Sequence, residues 1–500
     1  MSEHTYQQCI LPDCGATYGV DEVLFACRQC GSLLDVRYDW SRCEVPKSLS
    51  FFDQRRAAGF SPRGVANVEA PFSKEEPRGL QPAARVDASG VWRFRELLPF
   101  ARSDELVTIG EGRTTLQQAD ELARQIGARP GHLFLQYEGF NPSGSFKDNG
   151  MAAAFTMARR LGKRRVACAS TGNTSASLAM FAGLTTTRSG EPIEGIVFVG
   201  GGKIALGKLA QALDYGARTI QVDGDFDACM RLVRESADRL DLYLMNSVNP
   251  FRLEGQKAIM YRILEGLGWE VPDWIIVPGG NLGNSSAFGK AFAELYELGL
   301  IRRIPRLAVI NATGANTLYH LFENCDVRWN DGRVETACID KHYAHLDAEG
   351  TGPHTIASAI EIARPVNLTK ALRSLAVMNG VVREVTDEEI LEHKAMVGRF
   401  GFGCEPASAA SLAGLHRLLA EQVIARDDTV VCILTGHELK DPDATVRYHT
   451  GIDMKSVAPP PAQPTGGKYV NAPHKVADDL NAIIEAIGAK LDDTDVMKES

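Results

Sequence analysis

The chain has 500 residues, 54 of them Lys or Arg and 63 Asp or Glu, for a formal net charge of −9. That balance argues against a surface built to neutralise phosphodiester backbones, so nucleic acid is not an expected partner. No apolar run approaches the roughly 20 residues needed to cross a bilayer, and Met1–Tyr6 has neither a basic nor an apolar leader character, so a cytoplasmic protein with no membrane partner is expected.

Four of the eleven cysteines open the chain as Cys9-x4-Cys14 and Cys27-x2-Cys30, each pair followed directly by glycine, Gly15 and Gly31. Thiolates so spaced can close a tetrahedral zinc site, with each glycine freeing the backbone to turn towards the sulfurs. The alternative is four separately buried free thiols. Four thiolates leave no open position for water, so such a metal would be structural. A nucleic-acid-binding ribbon has little electrostatic support, because Arg28 is the one Lys or Arg in residues 1–35. Other cysteines, such as Cys168 and Cys432, sit in apolar stretches and read as small buried hydrophobes of a reduced compartment.

Residues 46–105 start rich in Pro, Arg and Ser and end in Val91–Pro99, which reads as a helical lead-in. Next, Leu133–Tyr137 has the pattern of a short buried strand. Asn141, Pro142, Ser143 and Gly144 form a turn, and the Ala-rich run after it places Lys147 near a helix N-terminus. The positive end of a helix dipole repels an ammonium there and favours the neutral amine, the nucleophile a Schiff base needs. A lysine that merely snorkels from an early turn is the alternative.

Strand-like, nearly apolar runs then recur at 165–169, 195–199, 218–222, 273–277, 306–310 and 429–434, alternating with helical segments such as 175–184 and 206–215. Such strands belong in parallel sheets covered on both faces, which predicts an α/β fold of doubly wound sheets. Ligands of these folds sit at the carboxyl ends of the strands, and the segments found there are polar. Ser170-Thr-Gly-Asn-Thr174 opens a helix with more hydroxyl and amide groups than one N-cap needs. Gly202–Leu209 nearly matches a P-loop, but Leu209 stands where a magnesium-holding hydroxyl is required, which argues against an ATPase. Asn246-Ser-Val-Asn-Pro-Phe-Arg252 combines amides, a hydroxyl and a guanidinium suited to an oxyanion, with a surface turn as the alternative. Pro278-Gly-Gly-Asn-Leu-Gly-Asn-Ser285 can curl its backbone around a phosphate. Thr435 ends the last strand, where its hydroxyl could meet a neutral pyridine nitrogen. Finally, Val457–Gly467 reads as a linker, and Val476, Leu480, Ile483, Ile484, Ile487 and Leu491 as one face of a terminal helix that docks on the core or on a partner subunit.

The run Asn-Pro-Ser-Gly-Ser-Phe-Lys-Asp at 141–148 resembles the cofactor-lysine segment of fold-type II pyridoxal-phosphate (PLP) enzymes, which share a tryptophan synthase β-like fold. Together with 225–235, 253–257, 271–281 and 355–360, it resembles the threonine synthases, in particular the longer plant-type branch. The resemblance implies conversion of O-phosphohomoserine and water into threonine and phosphate, with PLP as cofactor. It implies Lys147 as the catalytic Schiff-base lysine, Asn173 at the ring hydroxyl, the loop Gly280, Asn281, Leu282, Gly283, Asn284 and Ser285 around the cofactor phosphate, and Thr435 at the pyridine nitrogen. Ser170, Thr171 and Thr174 would face the substrate, and Asn246, Ser247 and Arg252, with Asn281, would bind its phosphate. The metal ligands would be Cys9, Cys14, Cys27 and Cys30. A segment that is usually Gly-Asn-Thr-Pro-Leu is Gly112-Arg-Thr-Thr-Leu116 here, with Thr115 in place of proline, and the four cysteines are missing from the plant enzymes.

The expected organisation is a zinc-ribbon-like segment (1–45), an extension leading into a large PLP domain (46–140), a smaller α/β domain carrying Asn173 (141–245), the rest of the large domain (246–455), and a linker with a terminal helix (456–500). The family resemblance implies a monomer or a homodimer. A cysteate synthase, a threonine dehydratase and a PLP-binding regulator without turnover are the rival readings.

Overall fold

The computed structural model describes residues 4–53, 89–200, 206–223, 241–350, 352–452 and 466–478, with 232, 233, 235–237, 239, 240, 482, 483 and 486. Thirteen strands among them form three sheets. The first is an antiparallel three-stranded sheet in the order β2-β1-β3, made of β1 (Thr5–Cys9), β2 (Thr17–Gly19) and β3 (Leu34–Tyr38). The largest has six strands in the order β12-β11-β10-β13-β5-β4: β4 (Thr115–Gln118), β5 (Leu133–Tyr137), β10 (Trp274–Pro278), β11 (Arg306–Ala312), β12 (Val381–Val385) and β13 (Val430–Leu434). The third runs β8-β7-β6-β9, from β6 (Arg165–Ala169), β7 (Glu194–Gly200), β8 (Arg218–Val222) and β9 (Tyr243–Leu244).

Every pairing in the two larger sheets is parallel except that of β4 with β5. The apolar runs predict this arrangement: all five residues of β10 and of β13 are buried, as strands covered on both faces must be. The seven strand-like runs from 133 to 434 all form strands, within one or two residues of the expected ends.

The covering helices are α1 (Asp120–Ile126), α2 (Lys147–Arg160), α3 (Asn173–Leu184), α4 (Leu206–Asp214), α5 (Pro250–Gly266), α6 (Gly283–Glu297), α7 (Thr336–Glu349), α8 (Leu368–Val377), α9 (Asp387–Arg399) and α10 (Pro406–Ala420). Most of α5 is buried, and it lies directly on α2. A glycine makes that approach possible, because a Cβ on Gly255 would come 2.0 Å from the Asn149 carbonyl oxygen. The contact brings the first turn of α5, with Arg252, beside the first turn of α2, with Lys147. The expected lead-in helix is a 3-10 turn at Trp92–Leu97, broken at Phe94 (φ −102°, ψ 26°), with Trp92, Phe94 and Leu97 in the main core.

Residues 442–500 form a second unit, in which α11 (Pro442–Thr450) is described and the Tyr469 amide donates to the Tyr448 hydroxyl (3.3 Å). The start of the P-loop-like run, most of 225–235, most of the linker and most of the expected terminal helix lie outside the described residues.

Candidate active site

Lys147 is the first residue of α2, at the carboxyl edge of β5. The turn before it is sewn to the end of β13: the Phe146 amide donates to the Thr435 carbonyl (2.9 Å), and the His437 amide donates to the Gly144 carbonyl (2.9 Å). Asp148 braces the turn from inside, accepting from the Ser143 amide (2.7 Å), the Ser143 hydroxyl (2.6 Å) and the Ser177 hydroxyl. With that much of its surroundings fixed, Lys147 has no hydrogen-bond partner among the described residues; its amine lies 4.0 Å from the Phe146 ring centroid. Desolvation, and then the charge of Arg252, push its pKa down to about 7, against a smaller opposing pull from Glu405. Near neutral pH a large share of this lysine is therefore the free amine.

Asn173 begins α3 at the carboxyl edge of β6, and Thr435 directly follows β13. One buried carboxylate joins them. Glu405 accepts from Asn173 Nδ2 (2.9 Å) and from the Thr435 hydroxyl (3.0 Å), while Thr435 also shares a hydrogen bond with the Ser408 hydroxyl (2.9 Å). Burial raises the Glu405 pKa, with the two hydrogen bonds opposing that shift. The two groups expected at opposite polar atoms of a cofactor ring thus converge on one point. Ser170 and Thr174 are half-buried and Thr171 exposed at the start of α3, where the Ser170 hydroxyl accepts from the Gly172 amide (3.2 Å).

The loop after β10 has the form of a phosphate cradle. Leu282 is in the left-handed conformation (φ 61°), which turns the backbone sharply into α6 at Gly283. The side-chain oxygens of Asn284 and Ser285 are buried there without a hydrogen-bond partner. Of these two atoms the Ser285 hydroxyl is a donor, and a buried donor at a helix N-terminus with no protein partner suits an anion; the phosphate of PLP fits that hydroxyl and the helix dipole, while Asn284 Oδ1 is an acceptor and would meet it only through the NH2 side of its amide.

Arg252 lies in the first turn of α5, behind Asn249, whose side chain caps the helix by accepting from the Phe251 amide (3.0 Å). It is 1% exposed. Its Nη1 donates to the Met245 carbonyl (2.7 Å), whereas Nε and Nη2 have no partner. Burial lowers its pKa to about 10. A buried guanidinium with two idle donors is costly unless an anion arrives to use them. Asn246 differs from the expected free ligand donor: its amide is already bonded on both sides to the Ala169 backbone (3.0 Å each), so it braces the loop beside Ser247.

Three residues of this region escaped the sequence reading. Glu405 is one; its signal was a carboxylate directly before Pro406 at the start of α10. Glu138 is another, a buried hub that accepts from Thr114 (2.8 Å), Gln136 (2.8 Å), Asn141 (2.9 Å), Asn149 (2.7 Å) and Arg262 (2.6 Å), and so fixes both flanks of the Lys147 turn. Asn367 is the third, and no local pattern marked it.

At the N-terminus the four sulfurs of Cys9, Cys14, Cys27 and Cys30 lie within 4.8 Å of one another, with Cys9 to Cys30 at 3.5 Å and Cys14 to Cys27 at 3.6 Å. Four ligands at about 2.3 Å from a tetrahedral zinc would be about 3.8 Å apart, so the set fits that ion. Gly15 (φ 56°) and Gly31 (φ 74°) are both left-handed, as the turns behind the cysteines require.

Residues 107–436 match the family model for pyridoxal-phosphate-dependent enzymes. The chain belongs to that family, and its two mainly parallel sheets, with Lys147 and the glycine loop after β10 at their carboxyl edges, are the corresponding fold. Maize serine racemase (TM-score 0.50, 19% identity, 70% of this chain and 94% of that one) and Escherichia coli diaminopropionate ammonia lyase (0.52, 15%, 68% and 88%) share the fold. Within the family the chain belongs to the threonine synthases: it is 42% identical to that of Methanocaldococcus jannaschii over 88% of this chain and 94% of the relative, and 33% identical to the chloroplastic threonine synthase 2 of Arabidopsis thaliana over 97% and 84%.

Proposed function

We propose that the protein converts O-phospho-L-homoserine and water into L-threonine and phosphate. The observation that carries this reading is Arg252, buried beside Lys147 with two guanidinium donors idle. A site for a cofactor phosphate alone would need only the cradle at Gly280–Ser285; a second buried cation calls for a second anion, on the substrate. When bound, PLP supplies an aldehyde for the substrate's amino group and a ring that takes up electrons from the broken Cα–H bond. Asn173 and Thr435 would hold that ring, and Asn281, Leu282, Asn284 and Ser285 would hold its phosphate.

Lys147, as the neutral amine, accepts the α proton and can return a proton to the same face of the substrate. Arg252, with Ser247 and Asn281, holds the γ phosphate and stabilises the negative charge that grows on its bridging oxygen as the C–O bond breaks. Ser170, Thr171 and Thr174 orient the amino-acid end. A proton leaves Cβ as the γ C–O bond breaks and phosphate departs; Cγ then takes up a proton to become the methyl group, and water adds its oxygen to Cβ and gives up a proton. The cysteine cluster holds a structural zinc and takes no part in the reaction. Cytoplasm is the compartment we propose, in keeping with the free thiols of Cys168, Cys404 and Cys432, and the working assembly is a monomer or homodimer.

Two assays test the reading. Purified holoenzyme should release phosphate from O-phosphohomoserine with threonine as co-product; release only from phosphoserine in the presence of sulfite would replace it with a cysteate synthase. Lys147→Ala should lose both turnover and the visible absorbance of the bound cofactor.

A further inference from the structure

Asn367 stands at the N-cap of α8, yet it does not cap that helix. Asparagine at this position ordinarily turns its side-chain oxygen back onto the first helical amides. Here the side chain is fully buried and points elsewhere: its Nδ2 donates to the Ser247 carbonyl (3.2 Å) and to the Asn281 carbonyl (3.3 Å). The backbone joins in, because the Asn367 amide also donates to the Asn281 carbonyl (3.3 Å) and the Val366 amide to Asn281 Oδ1 (3.3 Å). The amide orientation is not ambiguous, since a flip would set its oxygen against two carbonyl oxygens. As it stands, Oδ1 has no hydrogen-bond partner.

Ser247 belongs to the loop before Arg252, and Asn281 to the cradle before Ser285. We propose that Asn367 is a positioning residue that ties these two anion loops together, so that filling the cofactor-phosphate cradle preorganises the substrate-phosphate site, and the reverse. The proposal rests on the assignment of the two loops made above. Both loops are irregular backbone on separate elements, and one NH2 group satisfies a carbonyl from each. Asn367 touches neither phosphate; its effect passes through the backbone of its neighbours. Thermodynamic linkage then requires each phosphate to tighten the binding of the other by the same factor.

The test uses the full-length holoenzyme. In the wild type, saturating inorganic phosphate, acting as a probe of the Arg252 site, should slow cofactor release into a trapping protein severalfold; no change, or faster release, would overturn the tie without any variant being made. Asn367→Ala should then raise the cofactor Kd, the KM for O-phosphohomoserine and the inhibition constant of inorganic phosphate together, each about tenfold, with kcat within about threefold. Asn367→Asp should be worse on all three, because it replaces the donor by a charge near both anions. Asn367→Ser, which keeps one donor, should be intermediate and covers the case in which the alanine variant does not fold. A change in only one of the two affinities, or a fall in kcat with both affinities intact, would show that Asn367 braces a single loop or none. If the wild type instead turns over phosphoserine, the reaction proposed above fails while the phosphate-dependent slowing still decides the tie.

Discussion

Half-buried Lys147 and fully buried Arg252 are neighbouring cations, and the lysine is the one that yields. Its pKa falls from 10.5 to about 7, while the guanidinium remains charged at about 10. Because the unfolded lysine keeps its proton up to about 10.5, folding expels a proton between pH 7 and 10.5, and below pH 7 it buries the ammonium itself. The destabilisation is full below pH 7 and fades as pH rises towards 10.5. Lys147→Met should therefore raise the melting temperature of cofactor-free protein, most at or below pH 7, with the gain shrinking at higher pH in calorimetric scans. The same ionisation sets the pH dependence of loading: the rate of cofactor uptake by the apoprotein should rise about tenfold per pH unit below 7 and level off above it. Stopped-flow absorbance would show this directly. Arg252→Met should behave oppositely in its two readouts, with greater stability of the apoprotein and a KM for O-phosphohomoserine about a hundredfold higher, a loss of ~3 kcal/mol in substrate binding.

At the scale of elements, the sequence was legible wherever a strand is buried on both faces. Val430–Leu434 and Trp274–Pro278 are apolar throughout, and a polar, glycine-rich run after such a strand has one natural place in an α/β fold. Strands at the margins were not legible. Among the described residues Thr115–Gln118, which carries two glutamines, pairs only with β5, and Val381–Val385 only with β11, so neither needs an unbroken apolar run. Thr115, standing where proline is usual, begins that edge strand opposite Tyr137. The same distinction holds for side chains. Lys147, Asn173 and Thr435 follow strands and have a local pattern, whereas Glu405 and Asn367 gain meaning only from partners 232 and 120 residues away. Asn246 was legible as polar, but not as already committed to Ala169, because that commitment is a matter of sheet-edge geometry.

Over the whole molecule, the three-stranded cysteine sheet is keyed into the catalytic body by buried charge. Lys290 of α6 donates to the Val36 carbonyl (2.6 Å) and Lys370 of α8 to the Leu34 carbonyl (2.6 Å). Asp35 pairs with Lys370 (3.1 Å) and Arg373 (2.7 Å). Tyr38 donates to Glu254 Oε2 (2.5 Å), within a cluster that Lys257 closes with Glu254 (2.7 Å) and Glu294 (2.6 Å). Burial opposes the charge on Lys257, but the two carboxylates outweigh it and raise its pKa. Cys9 is the register partner of Leu34, so one cysteine of the cluster lies on the same ladder as this keyed strand. Metal analysis should find about one zinc per chain. Cys27→Ser should lose it and lower the melting temperature of the holoenzyme, and an unchanged melting temperature would show that the sheet holds its place without the ion.

The direction of β3's side of this ladder has a consequence for how the gene can be cut. A fragment starting just after Tyr38 would retain every residue proposed to touch cofactor or substrate, and would look complete by any list of motifs. It would also take the Leu34 carbonyl and Asp35 from Lys370, the Val36 carbonyl from Lys290 and the Tyr38 hydroxyl from Glu254; Lys290 and Glu254 would still pair with each other, but Lys370 would lose both of these partners. Removing β1–β3 should therefore cost the catalytic body stability even though no residue proposed to touch cofactor or substrate is lost, which the melting temperature of such a fragment would show.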